Sequence, residues 1–116
     1  MKILVVDDEP DIRELLSLIL EARGFETEMA ENGEEAARKV CDHPERYAVV
    51  LSDIKMPNMD GPTMATQIRA NGIRTPIIFM TGLDSPSRSD CQGAAAVLNK
   101  PLNFEHLFEL LQRKLA

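Results

Sequence analysis

Ile3-Leu4-Val5-Val6-Asp7-Asp8-Glu9-Pro10 lies near the start of the 116-residue chain, and its reading governs the rest. Four consecutive apolar residues, three of them β-branched, predict a strand buried on both faces, since a half-exposed strand would alternate. Three acids end the run, so the strand meets solvent there. Pro10 has no N–H to leave unpaired and suits the first turn of a helix. Ile12, Leu15, Leu16 and Ile19 then fall at i, i+3, i+4 and i+7, which predicts an apolar stripe, and Gly24 closes the segment as a C-terminal cap.

The same punctuation recurs along the chain. Phe25 to Met29 alternates, with Glu26 and Glu28 on the second face, and predicts an edge strand. Asn32-Gly33 opens a helix striped by Ala36, Ala37 and Val40. Tyr47 to Leu51 is a second continuous apolar run and ends at Ser52-Asp53. Pro57 and Asn58 mark a loop, and Met64 and Ile68 predict a helix over 61–71. Ile77 to Met80 is a third buried run, ending at Thr81-Gly82. Ala95 to Leu98 is a weaker strand, ending at Asn99-Lys100-Pro101. Phe104, Leu107, Phe108, Leu111 and Leu115 form the clearest amphipathic helix. Between Leu83 and Gln92, Asp84, Pro86 and three serines are loop chemistry where the alternation demands a helix, so the fourth helix is expected to be short or irregular. The alternation predicts an α/β fold: a doubly wound, five-stranded parallel sheet with helices on both faces and right-handed crossovers.

Length and composition bound what such a chain can be. A chain of 116 residues is expected to form one domain, residues 1–116, with a core large enough to need no staples. Acids outnumber bases 19 to 13, a formal charge of −6, and no basic run interrupts them. That balance argues against direct nucleic-acid binding and against an anionic membrane surface. The apolar runs are too short to span a bilayer, and no signal-peptide pattern opens the chain. Cys41 and Cys91 have neither the number nor the spacing of a disulfide scaffold or zinc site. Cys41 is expected on a helix and partly buried; Cys91 falls in the irregular stretch. His43 and His106 lack partners at metal-site spacing, and Met56, Met59, Met64 and Met80 read as loop and core residues. A soluble, cytoplasmic protein is expected.

In an open parallel sheet, ligands bind beyond the carboxyl ends of the strands, where the strand order reverses. Those ends carry Asp7 and Asp8, then Asp53, then Thr81, then Lys100. Singly, each has an ordinary reading: a solvated turn, a loop cap, turn chemistry, a surface lysine before a helix. Jointly they fall on one rim. With the order 2-1-3-4-5, Asp8 and Asp53 face each other across the switch point. Two carboxylates ~4 Å apart at an effective dielectric of about 20 repel by roughly 4 kcal/mol. A shared proton or a hard divalent cation relieves such repulsion, and Lys100 lowers it from the other side.

The ordered set Asp7-Asp8-Glu9, Asp53-x-x-Met56-Pro57-x-Met59-Asp60-Gly61, Thr81-Gly82 and Lys100-Pro101 resembles the receiver domain of two-component response regulators over essentially the whole chain. The nine-residue block beginning at Asp53 is its most specific piece. The resemblance implies a flavodoxin-like fold and a phosphorylation-activated switch. Asp53 would take a phosphoryl group from a phosphohistidine on a sensor histidine kinase or histidine phosphotransfer protein. Asp8, Asp53 and the Lys55 backbone carbonyl would hold Mg²⁺, with Mn²⁺ able to substitute, and Asp7 would act through coordinated water. Lys100 and the Thr81 hydroxyl would meet phosphoryl oxygens, and the Lys100–Pro101 peptide would be cis. The output would be a downstream protein or an output domain outside this chain. Such a domain promotes its own phosphorylation and dephosphorylation without being a free-standing enzyme.

Two departures from the family pattern concern output. The position three before Lys100, commonly aromatic in such domains, is Val97, and the segment from Thr81 to Lys100 is short, with Pro86 inside the expected helix. Two rival readings remain at this level. A pseudo-receiver that docks without phosphorylation would not need the complete acidic set. An aspartyl-phosphate hydrolase of the haloacid dehalogenase type would need Asp-x-Asp after the first strand, where this chain has Asp7-Asp8-Glu9.

Overall fold

Strand β1 (Lys2–Val6) leads into α1 (Pro10–Ala22), and β2 (Thr27–Ala30) into α2 (Gly33–Asp42). A short 3-10 turn (Pro44–Arg46) precedes β3 (Tyr47–Asp53), which is followed by α3 (Gly61–Ala70), β4 (Ile77–Thr81), β5 (Ala96–Asn99) and α4 (Phe104–Leu115). This is a computed structural model, and it describes residues 1–82 and 93–115. The expected fourth helix, with Cys91, lies outside the described residues. The strands form one parallel sheet ordered β2-β1-β3-β4-β5, the predicted doubly wound arrangement.

Alternate strand residues divide the core into two layers. Leu4, Val6, Val50, Ile77 and Phe79 face α2 and α3, meeting Ala36, Ala37, Val40, Met64 and Ile68. Ile3, Val5, Val49, Leu51, Ile78 and Met80 face the other way, onto Leu16 and Leu20 of α1 and Leu107, Phe108 and Leu111 of α4. Each fully buried Leu or Ile there contributes roughly 1.5–3 kcal/mol of transfer free energy. Continuous apolar runs in β1, β3 and β4 are therefore what a sheet covered on both faces requires.

Helix starts are set by capping. Asn32 Oδ1 accepts from the Glu35 N–H at 2.8 Å, and Asp60 Oδ1 from the Thr63 N–H at 2.8 Å. Asn103 Oδ1 accepts from the His106 N–H at 3.1 Å. Each satisfies one orphan donor of a first turn. Gly24, at φ 90°, follows α1 and takes the left-handed conformation in which a side chain is strained. Cys41 is half-buried on α2, as expected.

The stripe of α1 departs from its prediction. Leu16, Ser17 and Leu20 are the buried residues, Ile12 and Ile19 only flank the core, and Leu15 and Leu18 are exposed. The helix buries a narrow face, so the i, i+3, i+4 pattern selects the right side but overestimates its width. The edge strand likewise starts at Thr27 rather than Phe25, because Phe25 leaves the sheet to stack on Phe108, ring centroids 6.4 Å apart.

Candidate functional site

The carboxyl ends of β1 and β3 are adjacent in the sheet, with Val6 paired to Ser52. The chain beyond each strand carries the acids into one place. Asp7, Asp8 and Asp53 each offer a carboxylate oxygen, and the three lie within 4.8 Å of one another. Lys100, just past β5, reaches across β4 and places Nζ 3.3 Å from Asp53 Oδ2. Its backbone N–H donates to the Thr81 carbonyl at 2.7 Å, and the Lys100–Pro101 peptide is cis. The rim predicted from the sequence thus brings Asp7, Asp8, Asp53 and Lys100 together.

The three acids differ in environment. Asp7 is fully buried, Asp53 half-buried and Asp8 exposed. Asp53 is held at both oxygens: Oδ1 accepts from the Ile54 N–H at 2.9 Å and Oδ2 faces Lys100. Asp7 Oδ1 accepts from the Glu9 N–H at 2.9 Å, but Asp7 Oδ2 is buried without a hydrogen-bond partner among the described residues. Burial, the largest influence, pushes the Asp7 carboxyl above the usual aspartate range; Glu9 opposes this, Asp53 reinforces it, Lys100 opposes it and Asp8 reinforces it. An orphaned buried carboxylate oxygen beside two further carboxylates is a costly arrangement for the protein alone. It fits a hard divalent cation such as Mg²⁺, which takes oxygen ligands and is bound through one or two carboxylates.

The loop after β3 is fixed by two glycines at close approaches. A Cβ at Gly61 would stand 2.6 Å from the Phe79 ring and 2.8 Å from the Asp53 carbonyl oxygen. One at Gly33 would stand 2.4 Å from the Met59 carbonyl oxygen, to which the Gly33 N–H donates at 3.2 Å. The loop is therefore clamped between the start of α2 and the Asp53 backbone. Asn58, at φ 67°, makes its tight turn. Lys55 is exposed in this loop, two residues past Asp53.

Thr81, at the end of β4, is buried, and its hydroxyl donates to the Gly82 carbonyl at 3.4 Å. Val97 pairs with Phe79 and is half-buried against the α2–α3 layer. His106 enters α4 through its backbone N–H, and His43 lies 3.6 Å from Glu45, so neither joins the acidic rim. Sequence reasoning missed Arg13, whose Nη1 donates to the Asp7 backbone carbonyl at 2.7 Å. A side chain reaching back six residues to a main-chain oxygen leaves no periodic signal.

Comparison with known proteins agrees with this geometry. A family model for the response regulator receiver domain matches residues 3–112. The chain is 38% identical over 118 residues to the regulatory protein AtoC of Escherichia coli (strain K12), a match covering 98% of this chain and 25% of that protein. It is 44% identical over 80 residues to the transcriptional regulatory protein SrrA of Staphylococcus aureus (strain NCTC 8325 / PS 47), covering 69% of this chain and 32% of that one. The chain thus spans between a quarter and a third of the length of these curated relatives. Among solved structures, the response regulator protein TrrA of Thermotoga maritima, in complex with Mg²⁺-BeF, superposes with a TM-score of 0.84 at 41% identity, covering 98% of this chain and 99% of that one. A response regulator receiver protein from Pseudomonas putida gives a TM-score of 0.85 at 31% identity, covering 96% and 94%. Among the described residues, no helix is long and apolar enough to cross a membrane. Sequence, fold and acidic rim lead to one assignment: the chain belongs to the response regulator receiver domains of two-component signal transduction.

Proposed function

We propose that Asp53 is the phosphoacceptor of this receiver domain. The observation that carries the reading is the pairing of Asp53 with Lys100 at 3.3 Å inside a cluster of three carboxylates at the strand ends. In the reaction an Asp53 carboxylate oxygen attacks the phosphorus of a phosphohistidine. A P–O bond forms, the P–N bond breaks, and the freed imidazole nitrogen takes up a proton. Phosphoryl transfer of this kind depends on positioning and charge neutralisation more than on covalent help. Bound Mg²⁺ supplies positive charge against the transferring oxygens. Asp8, Asp53 and the Lys55 backbone carbonyl would hold it, with Asp7 acting through coordinated water, and Mn²⁺ would serve in its place. The Ile54 N–H orients the Asp53 carboxylate. Lys100 moves from Asp53 Oδ2 to a phosphoryl oxygen, and the Thr81 hydroxyl turns from the Gly82 carbonyl to another.

The chain in this reading folds and works as one unit over residues 1–116, in the cytoplasm. It turns over its own phosphoryl group and no separate substrate. The donor is a sensor histidine kinase or histidine phosphotransfer protein. The receiver of the signal is a downstream protein or an attached output domain, as the regulatory names of AtoC and SrrA suggest. Val97 is too small to fill the space that Thr81 would vacate, so the response runs mainly through the Thr81–Gly82 backbone and the stretch from Leu83 to Gln92, which lies outside the described residues. Incubation with Mg²⁺ and a small phosphodonor tests the assignment. Intact mass should rise by one phosphoryl group, borohydride trapping should map it to Asp53, and Asp53→Asn should abolish it. Unchanged labelling of that variant would refute the assignment.

A further inference from the structure

We infer that Arg13 is a positioning residue for the acidic turn: it fixes the peptide joining Asp7 to Asp8 and so sets the geometry in which both carboxylates present themselves to the cation. This inference rests on the proposed Mg²⁺-dependent site.

The turn leaves the sheet at Asp7. Its N–H still finds a ladder partner, the Ala30 carbonyl of β2, at 3.3 Å. Its carbonyl lies one residue beyond the end of β1, and the neighbouring β2 ends at Ala30. Arg13, in the second turn of α1, supplies a donor with Nη1 at 2.7 Å. The bond is short and charge-assisted, the stronger class of hydrogen bond. Arg13 is half-buried and its own N–H donates to the Glu9 carbonyl at 3.0 Å, so backbone and side chain both secure the same turn.

The gripped group is informative. The Asp7 carbonyl belongs to the peptide unit that joins the two acids, so holding it restrains ψ of Asp7 and φ of Asp8, the two dihedrals that together set where the Asp8 side chain stands relative to Asp7. Asp7 Oδ1 is anchored by the Glu9 N–H, whereas Asp8 is exposed, with no hydrogen bond among those described. Asp8 is therefore the member of the cluster most dependent on its backbone. Loss of groups that orient metal ligands typically reduces metal affinity roughly 10- to 100-fold.

A guanidinium bonded to the acidic turn has a second, opposite effect, since its charge opposes cation binding. The two roles predict opposite signs, which makes the test decisive. Arg13→Met keeps the apolar stem and removes the donor; Arg13→Lys restores a charged donor on a shorter stem. Mg²⁺ affinity is measured by titration without any phosphodonor, alongside amide hydrogen exchange of the metal-free protein. Positioning predicts that Arg13→Met weakens Mg²⁺ binding roughly 10-fold and speeds exchange at Glu9, and that Arg13→Lys recovers most of both. Equal or tighter Mg²⁺ binding by Arg13→Met overturns the inference, even if its thermal stability has dropped. If the wild type itself fails to bind Mg²⁺, the proposed cation site falls. Exchange at Glu9 then decides on Arg13 alone: faster in Arg13→Met supports its hold on the turn, unchanged refutes it.

Discussion

At the carboxyl ends of β1 and β3 the chain gathers three carboxylates, whereas towards the amino ends it surrounds a single carboxylate with donors. Glu28 of β2 has Lys2, Lys39 and Arg46 at 3.5, 3.8 and 3.9 Å and accepts a hydrogen bond from the buried Tyr47 hydroxyl. The titration shifts follow the two arrangements. Burial would raise Glu28, but the Tyr47 hydrogen bond, then Lys39, Lys2 and Arg46, outweigh it and hold its carboxyl below the usual range. Asp7, with burial foremost and Asp53 and Asp8 adding to it, lies above its usual range. One pole of the sheet is self-sufficient, stitching β1, β2, α2 and β3 together. The other is left short of positive charge, a shortfall of the kind that a hard divalent cation would relieve.

The largest expected effect comes from subtracting an acid at the deficient pole. Asp8→Ala should reduce Mg²⁺ affinity by on the order of 100-fold, the upper end of what loss of a mere orienting group causes. In the metal-free protein the same change relieves repulsion, so stability should hold or rise. Titration calorimetry and urea unfolding without Mg²⁺ check the two halves. Equal affinity in variant and wild type would place the ion elsewhere, and a large loss of metal-free stability would erase the contrast between the poles.

The self-sufficient pole should respond in the opposite sense. Glu28→Gln keeps the shape and an acceptor for Tyr47 but removes the charge, and should cost about 1–2 kcal/mol, since hydrogen bonds to charged groups exceed neutral ones. The sign of its pH dependence follows from the lowered Glu28 carboxyl. A depressed folded value gives stability that is complete above the unfolded glutamate range and is lost as pH falls through the folded value. The difference between wild type and variant should therefore be level near neutrality and shrink in acid. A difference that grew on acidification would mean that Glu28 is not paired as described.

These two poles were not equally legible in the sequence. The acidic rim was readable because strand ends are marked by abrupt changes: Val6 to Asp7, Ser52 to Asp53, Met80 to Thr81, Leu98 to Lys100. The parallel fold follows from the continuous apolar runs, and it places those ends together whatever the loops do. The alternation puts Glu28 on the second face of an edge strand, which is right, but nothing local connects it to Tyr47, on the next strand in sequence and across β1 in space. The burial of Ser17 and the exposure of Leu15 and Leu18 were also hidden, because periodicity gives a direction and not the width of the partner surface. Arg13 and the close contacts of Gly33 and Gly61 depend on loop backbone, which side-chain patterning does not encode.

The smallest effect offers the finest test of the self-sufficient pole. Tyr47 is the single tyrosine and the chain has no tryptophan, so near-ultraviolet absorbance reports its ionisation without background. Burial first, then the hydrogen bond and charge of Glu28, push its phenol from 10.0 up to about 12, with Arg46 pulling the other way. A phenol raised in the folded state adds stability that is complete below the unfolded value near 10 and is lost as pH rises through the folded one. Wild-type protein should thus show a tyrosine midpoint displaced well above 10, with stability falling over the same alkaline interval. In Glu28→Gln the midpoint should drop but stay above 10, because burial, the largest cause, remains. A wild-type midpoint at the ordinary phenol value would mean an open hydroxyl. Glu28 would then have lost its buried donor, and the contrast between the two poles would rest on two half-exposed lysines and the exposed Arg46, pairs that water weakens.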